Sequence, residues 1–558
     1  MLIAGEWRTI RARFSERSEL IPHSYTLGLA SADAEDVIVR RDLYRNRALS
    51  GLILGSYDLA KTDALACLSG NRDEKSIKED MKGLYRAARA AYELNDFTSA
   101  EALLTRLLKL SPNDEDGRRE LQKTITRGAE RNAKYDFAAI AKSMPETQYY
   151  ADHADFTSRT YVHQTDGHGR GLFANTFIPA GDLILCEKAF VAAHGINDQS
   201  SITLMLNLNT NLYELGTYGK IWAGTVQKLL NNPSLVDPVL NLHAGDYPKD
   251  KSSVAPVVDG APVVDAFHVQ AIIECNSFGF TPNRPGHPYG NTVTSKDSFG
   301  KSTGLWVQAS YMNHSCLPNA HRSFIGDLMI LRAIRDIPRG TEICVAYRSD
   351  SHDVDKRHED LQKWGFQCSC GLCDADVKSS AAQRSTRNTI SESICIFVQK
   401  NVITRQSRPS NDTFAEAEVL LQQITATYPE DIYHGLPRLA IVPMDEWFVR
   451  AYSVMGCHGK VIQYASAVLR DLGYQFRLGG SDVIFDRANC ILSPLAVDSL
   501  MYIAGVKYAQ GYKLVGEKIR DLAKEAYRTL NGELSGFDMI FGTVGAVRGS
   551  CRTRTKAN

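Results

Sequence analysis

The spacing of apolar and polar positions divides the chain into three textures. Up to about residue 135, apolar residues recur at helical intervals with small residues bunched among them. Two stretches there are alike. One runs from Asn46-Arg47-Ala48-Leu49 through Gly55-Ser56-Tyr57-Asp58-Leu59-Ala60. The other runs from Tyr85-Arg86-Ala87-Ala88 through Asn95-Asp96-Phe97-Thr98-Ser99-Ala100 and ends in Ser111-Pro112-Asn113-Asp114. Each predicts a small-residue helix, a tight turn, an aromatic and then an alanine. From Tyr161 glycines cluster, β-branched and aromatic residues rise, and helical periodicity fades. Leu183–Leu185, Leu328–Leu331 and Ile343–Tyr347 predict short strands. Within this region, residues 192–264 predict an inserted module that opens with a helical pattern and closes in a Pro/Gly/Asp-rich loop. Past Cys373 comes a polar linker, and then helix-like spacing over Phe414–Tyr428, Trp447–Gly473 and Asp498–Leu530.

The expected architecture is therefore multidomain α+β. It comprises helical repeats over 1–135, a linker over 136–156, a β-rich domain over 157–352, a cysteine-rich segment over 353–374, a linker over 375–410 and a helical domain over 411–558. A chain of 558 residues is too long for one core, and 44% apolar residues suffice for several. Charge narrows the partners. Lys+Arg and Asp+Glu both number 64, so no bulk positive field draws the chain to nucleic acid or anionic membrane. No apolar run is long enough for a transmembrane helix, and Met1–Ser15 lacks the apolar centre of a secretory signal. Twelve cysteines spread over so long a chain read as thiols of a reducing compartment, cytoplasm or nucleus. The basic stretch Arg548–Lys556 is too sparse to choose between the two.

The paired helical stretches resemble tetratricopeptide repeats, in which small residues let two helices approach and an aromatic fills the gap. The two units lie 40 residues apart, the excess falling in the polar loop around Asn71–Lys75. Such repeats need neighbours, so about three helical pairs are expected, with a surface for protein partners.

The β-rich region contains five motifs in a fixed order. They are Gly167-His168-Gly169-Arg170-Gly171-Leu172-Phe173, then Cys275-Asn276-Ser277-Phe278, then Ser310-Tyr311-Met312-Asn313-His314-Ser315-Cys316-Leu317-Pro318-Asn319. Gly340-Thr341-Glu342-Ile343-Cys344-Val345-Ala346-Tyr347 and Trp364-Gly365-Phe366-Gln367-Cys368-Ser369-Cys370-Gly371-Leu372-Cys373 complete the set. Any one alone is weak; the glycine run by itself is usually a turn. Together they resemble the SET domain of protein lysine methyltransferases, in particular its SET–MYND (SMYD) branch, over about Tyr161–Cys373. One departure stands out: no cysteine lies between Cys186 and Cys275, so the MYND zinc finger of that branch is absent. SET families of the Rubisco-methyltransferase type usually lack the Cys-x-Cys-x-x-Cys tail present here.

The resemblance implies transfer of a methyl group from S-adenosylmethionine to a lysine of a protein substrate, histone or otherwise. It implies cofactor contacts from His168, Gly169, Arg170, Asn276, Asn313, His314, Tyr347 and Phe366, with Arg170 pairing the cofactor carboxylate and Phe366 covering the adenine. Phe278, Ser310, Trp364 and Phe366 would line the lysine channel. Tyr347 is the expected catalytic residue, its hydroxyl orienting the amine. Cys368, Cys370 and Cys373 offer three thiolates within six residues, and a tetrahedral structural site wants four. The resemblance names Cys316 as the fourth ligand of one zinc ion; a redox pair or idle thiols are the other readings of the run. Cys186, Cys275 and Cys344 read as core thiols. A different class fits the same flanks: a scaffold whose repeats and C-terminal helices bind partners around a SET module that turns over little. The presence of Tyr347, Asn313 and all four cysteines argues for the enzyme.

Overall fold

The computed structural model describes residues 20–144, 150–165, 167, 169–195, 203–207, 212–248, 257–258, 261–280, 302–347, 351–404, 408–479 and 482–542. His168 and the basic tail from Arg548 lie outside them. The N-terminal helices are α1 (Leu20–Ser31), α2 (Val37–Leu54), α3 (Tyr57–Ala66), α4 (Glu74–Glu93), α5 (Phe97–Leu110), α6 (Glu115–Glu130) and α7 (Phe137–Ser143). Aspartate starts most of them: the side chains of Asp36, Asp73, Asp96, Asp114 and Asp136 each accept a first-turn backbone N–H. Small residues set the spacing, as expected. A Cβ on Gly51 would lie 3.3 Å from that of Ala60, and one on Gly83 would lie 2.8 Å from the Cys67 sulfur. The polar loop before α4 is held by Asp80, which accepts from the N–H groups of Ser69 (2.7 Å) and Gly70 (2.8 Å). The segment expected as a linker over 136–156 holds α7.

The β-rich domain has β1 (Thr160–Thr165), β2 (Gly169–Ala174), β3 (Leu183–Lys188), β4 (Val191–Ala193), β5 (Thr203–Asn207), β6 (Leu212–Gly216), β7 (Val257–Val258) and β8 (Ala261–Pro262). It continues with β9 (Phe278–Phe280), β10 (Ser302–Leu305), β11 (Asn313–His314), β12 (Ala320–Ile325), β13 (Leu328–Ala333) and β14 (Cys344–Val345). These form small sheets: the hairpin β1–β2, the antiparallel triplets β12-β13-β3 and β4-β10-β9, and a parallel pair β11–β14. Trp306, fully buried, packs edge-on to Phe278 and Phe280 and against Phe324 between them. The inserted module opens with the hairpin β5–β6 rather than the helix the sequence suggested; α8 (Tyr218–Asn231) and α9 (Val236–Leu240) follow, and α10 (Ala266–Asn276) leads back into β9.

The C-terminal part is helical: α11 (Val354–Leu361), α12 (Gly371–Lys378), α13 (Ala381–Lys400), α14 (Asn411–Thr425), α15 (Glu430–Tyr433), α16 (Val442–Val454), α17 (His458–Asp471), α18 (Pro494–Ala509), α19 (Lys513–Asn531) and α20 (Phe537–Phe541), with the hairpin β15 (Gln475–Gly479) and β16 (Asp482–Asp486). Two long helical patterns are broken by glycines in the left-handed region, Gly456 (φ 72°) between α16 and α17 and Gly511 (φ 85°) between α18 and α19. The polar stretch expected as a linker over 375–410 is instead part of the packed domain. Arg387 of α13 is buried and donates to Asp376 (2.8 Å), Tyr433 (2.9 Å) and the Thr427 carbonyl (2.7 Å). Its polarity serves buried ion pairing rather than solvation.

Backbone carbonyls join the modules. Arg332 of β13 donates to the carbonyls of Gly181 and Gly532, 3.2 Å each, and lies 5.4 Å from the Phe137 ring. Asn232, fully buried after α8, accepts from the Tyr57 N–H (2.8 Å) and donates to the Gly55 carbonyl (2.8 Å), sealing the α2–α3 turn. Beneath this junction lie buried acids. Glu187 accepts from the N–H groups of Gln308 (2.8 Å) and Ala309 (2.9 Å), and burial pushes its carboxyl up to about 8. Burial likewise raises Asp155 and Asp327 to about 6, and lowers Lys228 to about 8.

This fixes the direction of a stability profile. Glu187 holds its proton more tightly when folded than when unfolded, where the value is 4.5. The folded state therefore carries more protons between about 4.5 and 8, and stability is fully present below that window and falls as pH rises through it. Asp155 and Asp327 act in the same sense at its lower end. Thermal unfolding should show a midpoint that declines across the window in the native protein and declines less in Glu187→Gln. Equal slopes would rule out a protonated Glu187.

Candidate active site

Two rungs of parallel ladder make the site: Asn313 pairs with Cys344 and His314 with Val345. The β12–β13 hairpin is the crossover between them. Asn319 adds rungs with its side chain, donating to the Glu342 carbonyl (2.7 Å) and accepting from the Cys344 N–H (2.9 Å). Asn313 spends its amide N–H groups on the Glu342 carboxylate (2.7 Å) and the Arg170 carbonyl (3.3 Å). Glu342 can lie against β2 only because residue 171 is glycine. A Cβ there would fall 2.7 Å from Thr165 Cγ2 and collide with the carboxylate. The Ile343 N–H donates to Leu172 (2.7 Å), so β2, β11 and β14 form one knot of chain.

Tyr347 follows β14. Its backbone N–H donates to His314 Nδ1 (3.0 Å) and its hydroxyl to the Met312 carbonyl (2.6 Å). Its ring centroid lies 5.3 Å from His314, 5.1 Å from Trp364 and 6.4 Å from Phe366. Burial pushes the phenol well above its ordinary range, so at neutral pH it remains a hydroxyl and a donor. Behind it, Arg322 donates to the Ala346 carbonyl (2.8 Å) and lies 5.6 Å from the Phe278 ring.

The aromatic shelf formed by Trp364 and Phe366 is carried to Tyr347 by the cysteine-rich segment. The sulfurs of Cys316, Cys368, Cys370 and Cys373 all lie within 4.8 Å of one another, with 3.6 Å between Cys373 and Cys316. A zinc–sulfur bond of about 2.3 Å implies a tetrahedral edge of about 3.8 Å. All four are free thiols, three of them buried, and the set fits one zinc ion. The sulfurs are also held from outside. His314 Nε2 lies 3.2 Å from the Cys316 sulfur. Arg357, which pairs with Asp376 at 2.6 Å, donates to the Cys373 sulfur at 3.5 Å.

The structure thus gathers Asn313, His314, Tyr347, Trp364, Phe366 and the four cysteines in one place. Other expected residues do different local work. Gly169 sits at φ 75°, turning the chain into β2. The Arg170 guanidinium lies 5.1 Å from the Tyr311 ring and donates to the Asn241 carbonyl of the inserted module. Asn276 ends α10, its amide donating to the carbonyls of His243 and Ile272 (2.6 Å each), so it closes a helix terminus. Ser310 donates to the Trp306 carbonyl (2.6 Å) within the turn that leads to Met312. Phe278 packs against Trp306 at 6.0 Å. Of the core thiols, Cys186 is fully buried, while Cys275 and Cys344 are half-buried. Sequence reasoning gave no role to Glu342 or Asn319, though both stand inside the quoted motifs. It also passed over Arg322, Arg357 and Asp376, whose pairing depends on how separate elements meet.

Residues 169–348 match the SET domain family model. The chain carries a SET domain. A protein of Gibberella zeae described as a methyltransferase is 32% identical over 341 residues, 59% of this chain and 46% of that protein. Human histone-lysine N-methyltransferase SMYD3 is 30% identical over 21% of this chain and 25% of its own length. Human protein-lysine N-methyltransferase SMYD4 is 31% identical over 20% of this chain and 14% of its own. The chain therefore spans less than half the length of these relatives. A solved SET domain of LSMT bound to lysine and AdoHcy aligns at 9% identity over 74% of this chain and 97% of its own, with a TM-score of 0.20, an overlap too slight to argue from. No helix among the described residues is long and apolar enough to cross a membrane.

The close seat of Glu342 on β2 gives a direct test. Gly171→Ala should cost about 1–3 kcal/mol by overpacking in denaturant unfolding. Unchanged stability would mean that the carboxylate is not seated against β2.

Proposed function

We propose that the protein transfers a methyl group from S-adenosylmethionine to a lysine side chain of a protein substrate, and that it carries one structural zinc ion. The observation that carries this reading is the seat of Tyr347 in the SET domain. Its hydroxyl is pinned to the Met312 carbonyl, and its ring is boxed by His314, Trp364 and Phe366 beside the four-sulfur cluster. Relatives described as lysine methyltransferases support the same class.

The chemistry asks for a neutral amine aligned with a methyl carbon. Free lysine has a pKa near 10.4, so at about pH 7.4 only about one in a thousand is neutral, about 4 kcal/mol uphill. The walls around Tyr347 are aromatic and largely apolar, which disfavours an ammonium and lowers that cost. Tyr347 keeps its own proton, so the phenol does not serve as base. Its oxygen orients the amine, and the amine's proton leaves to water. When bound, S-adenosylmethionine would supply a methyl group activated by its sulfonium. Gly169, Arg170, Asn313, His314 and Phe366 are the residues that would hold it, with His168 of the same loop, and with Asn276 only through its backbone or its remaining amide oxygen. Phe278, Ser310 and Trp364 would line the approach of the lysine. Cys316, Cys368, Cys370 and Cys373 would hold zinc and so keep the aromatic shelf closed over Tyr347. The helical flanks would present protein-binding surface, and a cytoplasmic or nuclear setting suits the free thiols.

Calorimetry with S-adenosylmethionine and metal analysis on one sample test the reading. Micromolar binding with about one zinc per chain is expected, both weakened in Cys370→Ser. Tyr347→Phe should keep cofactor affinity and lose about a hundredfold or more in kcat on a lysine-containing substrate, as loss of an orienting group does. Folded, zinc-loaded protein that fails to bind the cofactor would overturn the reading in favour of a scaffold.

A further inference from the structure

His314 lies between the two halves of the site and touches both. Nδ1 is 3.0 Å from the Tyr347 backbone nitrogen, and Nε2 is 3.2 Å from the Cys316 sulfur, with the Cys368 sulfur also in hydrogen-bond reach of the ring. The ring also packs against Tyr347 at 5.3 Å and Phe366 at 6.0 Å. A backbone N–H can only donate, so Nδ1 must present its lone pair. The ring proton then sits on Nε2 and points at sulfur. A metal-bound thiolate is a better acceptor for that proton than a thiol, because the bond becomes charge-assisted.

We propose that His314 is a positioning residue that couples zinc occupancy to the placement of Tyr347. Zinc held by Cys316 would displace the thiol proton to solvent and leave a thiolate that accepts Nε2–H. The captured ring fixes Nδ1 as the acceptor for Tyr347, and with it the point where the chain leaves β14. The hydroxyl can then reach the Met312 carbonyl, one residue before Asn313 on the same crossing. Metal loss frees one edge of the ring, and Tyr347 loses its anchor before the fold does. The inference rests on the methyltransferase reading for its consequence in turnover, but not for its structural half.

The test separates the two arms of the ring. The Oδ1 of an asparagine falls near Nδ1 of histidine, and the amide of a glutamine reaches toward Nε2. His314→Asn should keep the Tyr347 contact and lose the sulfur contact, so zinc should pass to a chelator about tenfold more readily, the usual size of an outer-sphere loss. His314→Gln should hold zinc within about twofold of the native protein while kcat falls about tenfold at unchanged KM for the lysine substrate, the pattern of an effect confined to the transition state. Nitrogen-15 spectra of histidine-labelled protein, with His314→Asn assigning the signal, read the coupling without turnover. In the zinc-loaded protein, Nδ1 of His314 should resonate as an unprotonated nitrogen and Nε2 as a protonated one, and zinc removal should average the two. A proton on Nδ1 in the loaded protein, signals unmoved by zinc removal, or native zinc retention in His314→Asn would overturn the proposal. An inactive protein that shows the expected spectra and zinc retention would sink the methyltransferase reading and leave the coupling standing.

Discussion

Everything at this site depends on the parallel crossing of Asn313-His314 with Cys344-Val345. Two rungs are a weak ladder, and a parallel pair needs a connection that leaves the sheet and returns. Here the connection is the β12–β13 hairpin, whose own pairing is regular from Ala320 to Ala333. The crossing is reinforced by side chains that imitate backbone. Asn319 bonds the Glu342 carbonyl and the Cys344 N–H where the chain enters β14, and the Asn313 amide reaches Glu342 and the Arg170 carbonyl. These partly buried polar groups need partners, and each finds one only when the strands cross in this register. Asn313, His314, Cys316 and Tyr347 then have no freedom to sit elsewhere.

The cysteine cluster extends that constraint to a distant segment. Cys316 follows the crossing directly, and Cys368, Cys370 and Cys373 belong to the stretch that carries Trp364 and Phe366. Bringing four sulfurs within 4.8 Å therefore brings two aromatic rings to Tyr347. The far end is anchored as firmly. Asp376 lies three residues after Cys373 in α12 and pairs with both Arg357 (2.6 Å) and Arg387 (2.8 Å), all three buried. Removing one member would strand an uncompensated buried charge, at a cost of about 3–5 kcal/mol. The aromatic shelf is thus stretched between a sulfur cluster and an ion-pair cluster, which limits how far Trp364 and Phe366 can drift.

The sequence made some of this legible and hid the rest for physical reasons. Asn313, His314, Tyr347 and the run Cys368–Cys373 stand in short motifs of residue types, whereas Cys316 joins that run only through the family resemblance. The glycine breaks in the C-terminal helices were visible as residues but not as breaks, since a lone glycine inside a periodic pattern is tolerated unless the chain turns there. The segment over 375–410 read as a linker because Arg384, Arg387 and their polar neighbours look solvated until Asp376 and Tyr433 are brought against them. The hairpin β5–β6 was hidden because a short apolar run suits strand and helix alike. Asn276 shows the converse: its motif is in place, yet its amide closes a helix end, which no pattern of neighbours reveals.

The sheet itself links the C-terminal domain to the surroundings of Tyr347. Successive side chains of a strand face opposite sides. On β12, Arg322 turns toward Phe278 and the Ala346 carbonyl, beside Tyr347. Ser323, the next residue, turns toward Gly532 at the end of α19, where a Cβ would fall 2.6 Å from its hydroxyl. Gly532 is also the left-handed residue, φ 83°, that terminates α19. Its carbonyl receives Arg332, which also holds Gly181. One strand therefore has the wall behind Tyr347 on one face and the seat of the C-terminal helix on the other. A close-packed interior transmits displacement rather than absorbing it. A shift of α19 that moves Ser323 must move Arg322 with it, and through the Ala346 carbonyl it reaches the residue that precedes Tyr347. The C-terminal domain is in this sense part of the wall around Tyr347, one strand removed.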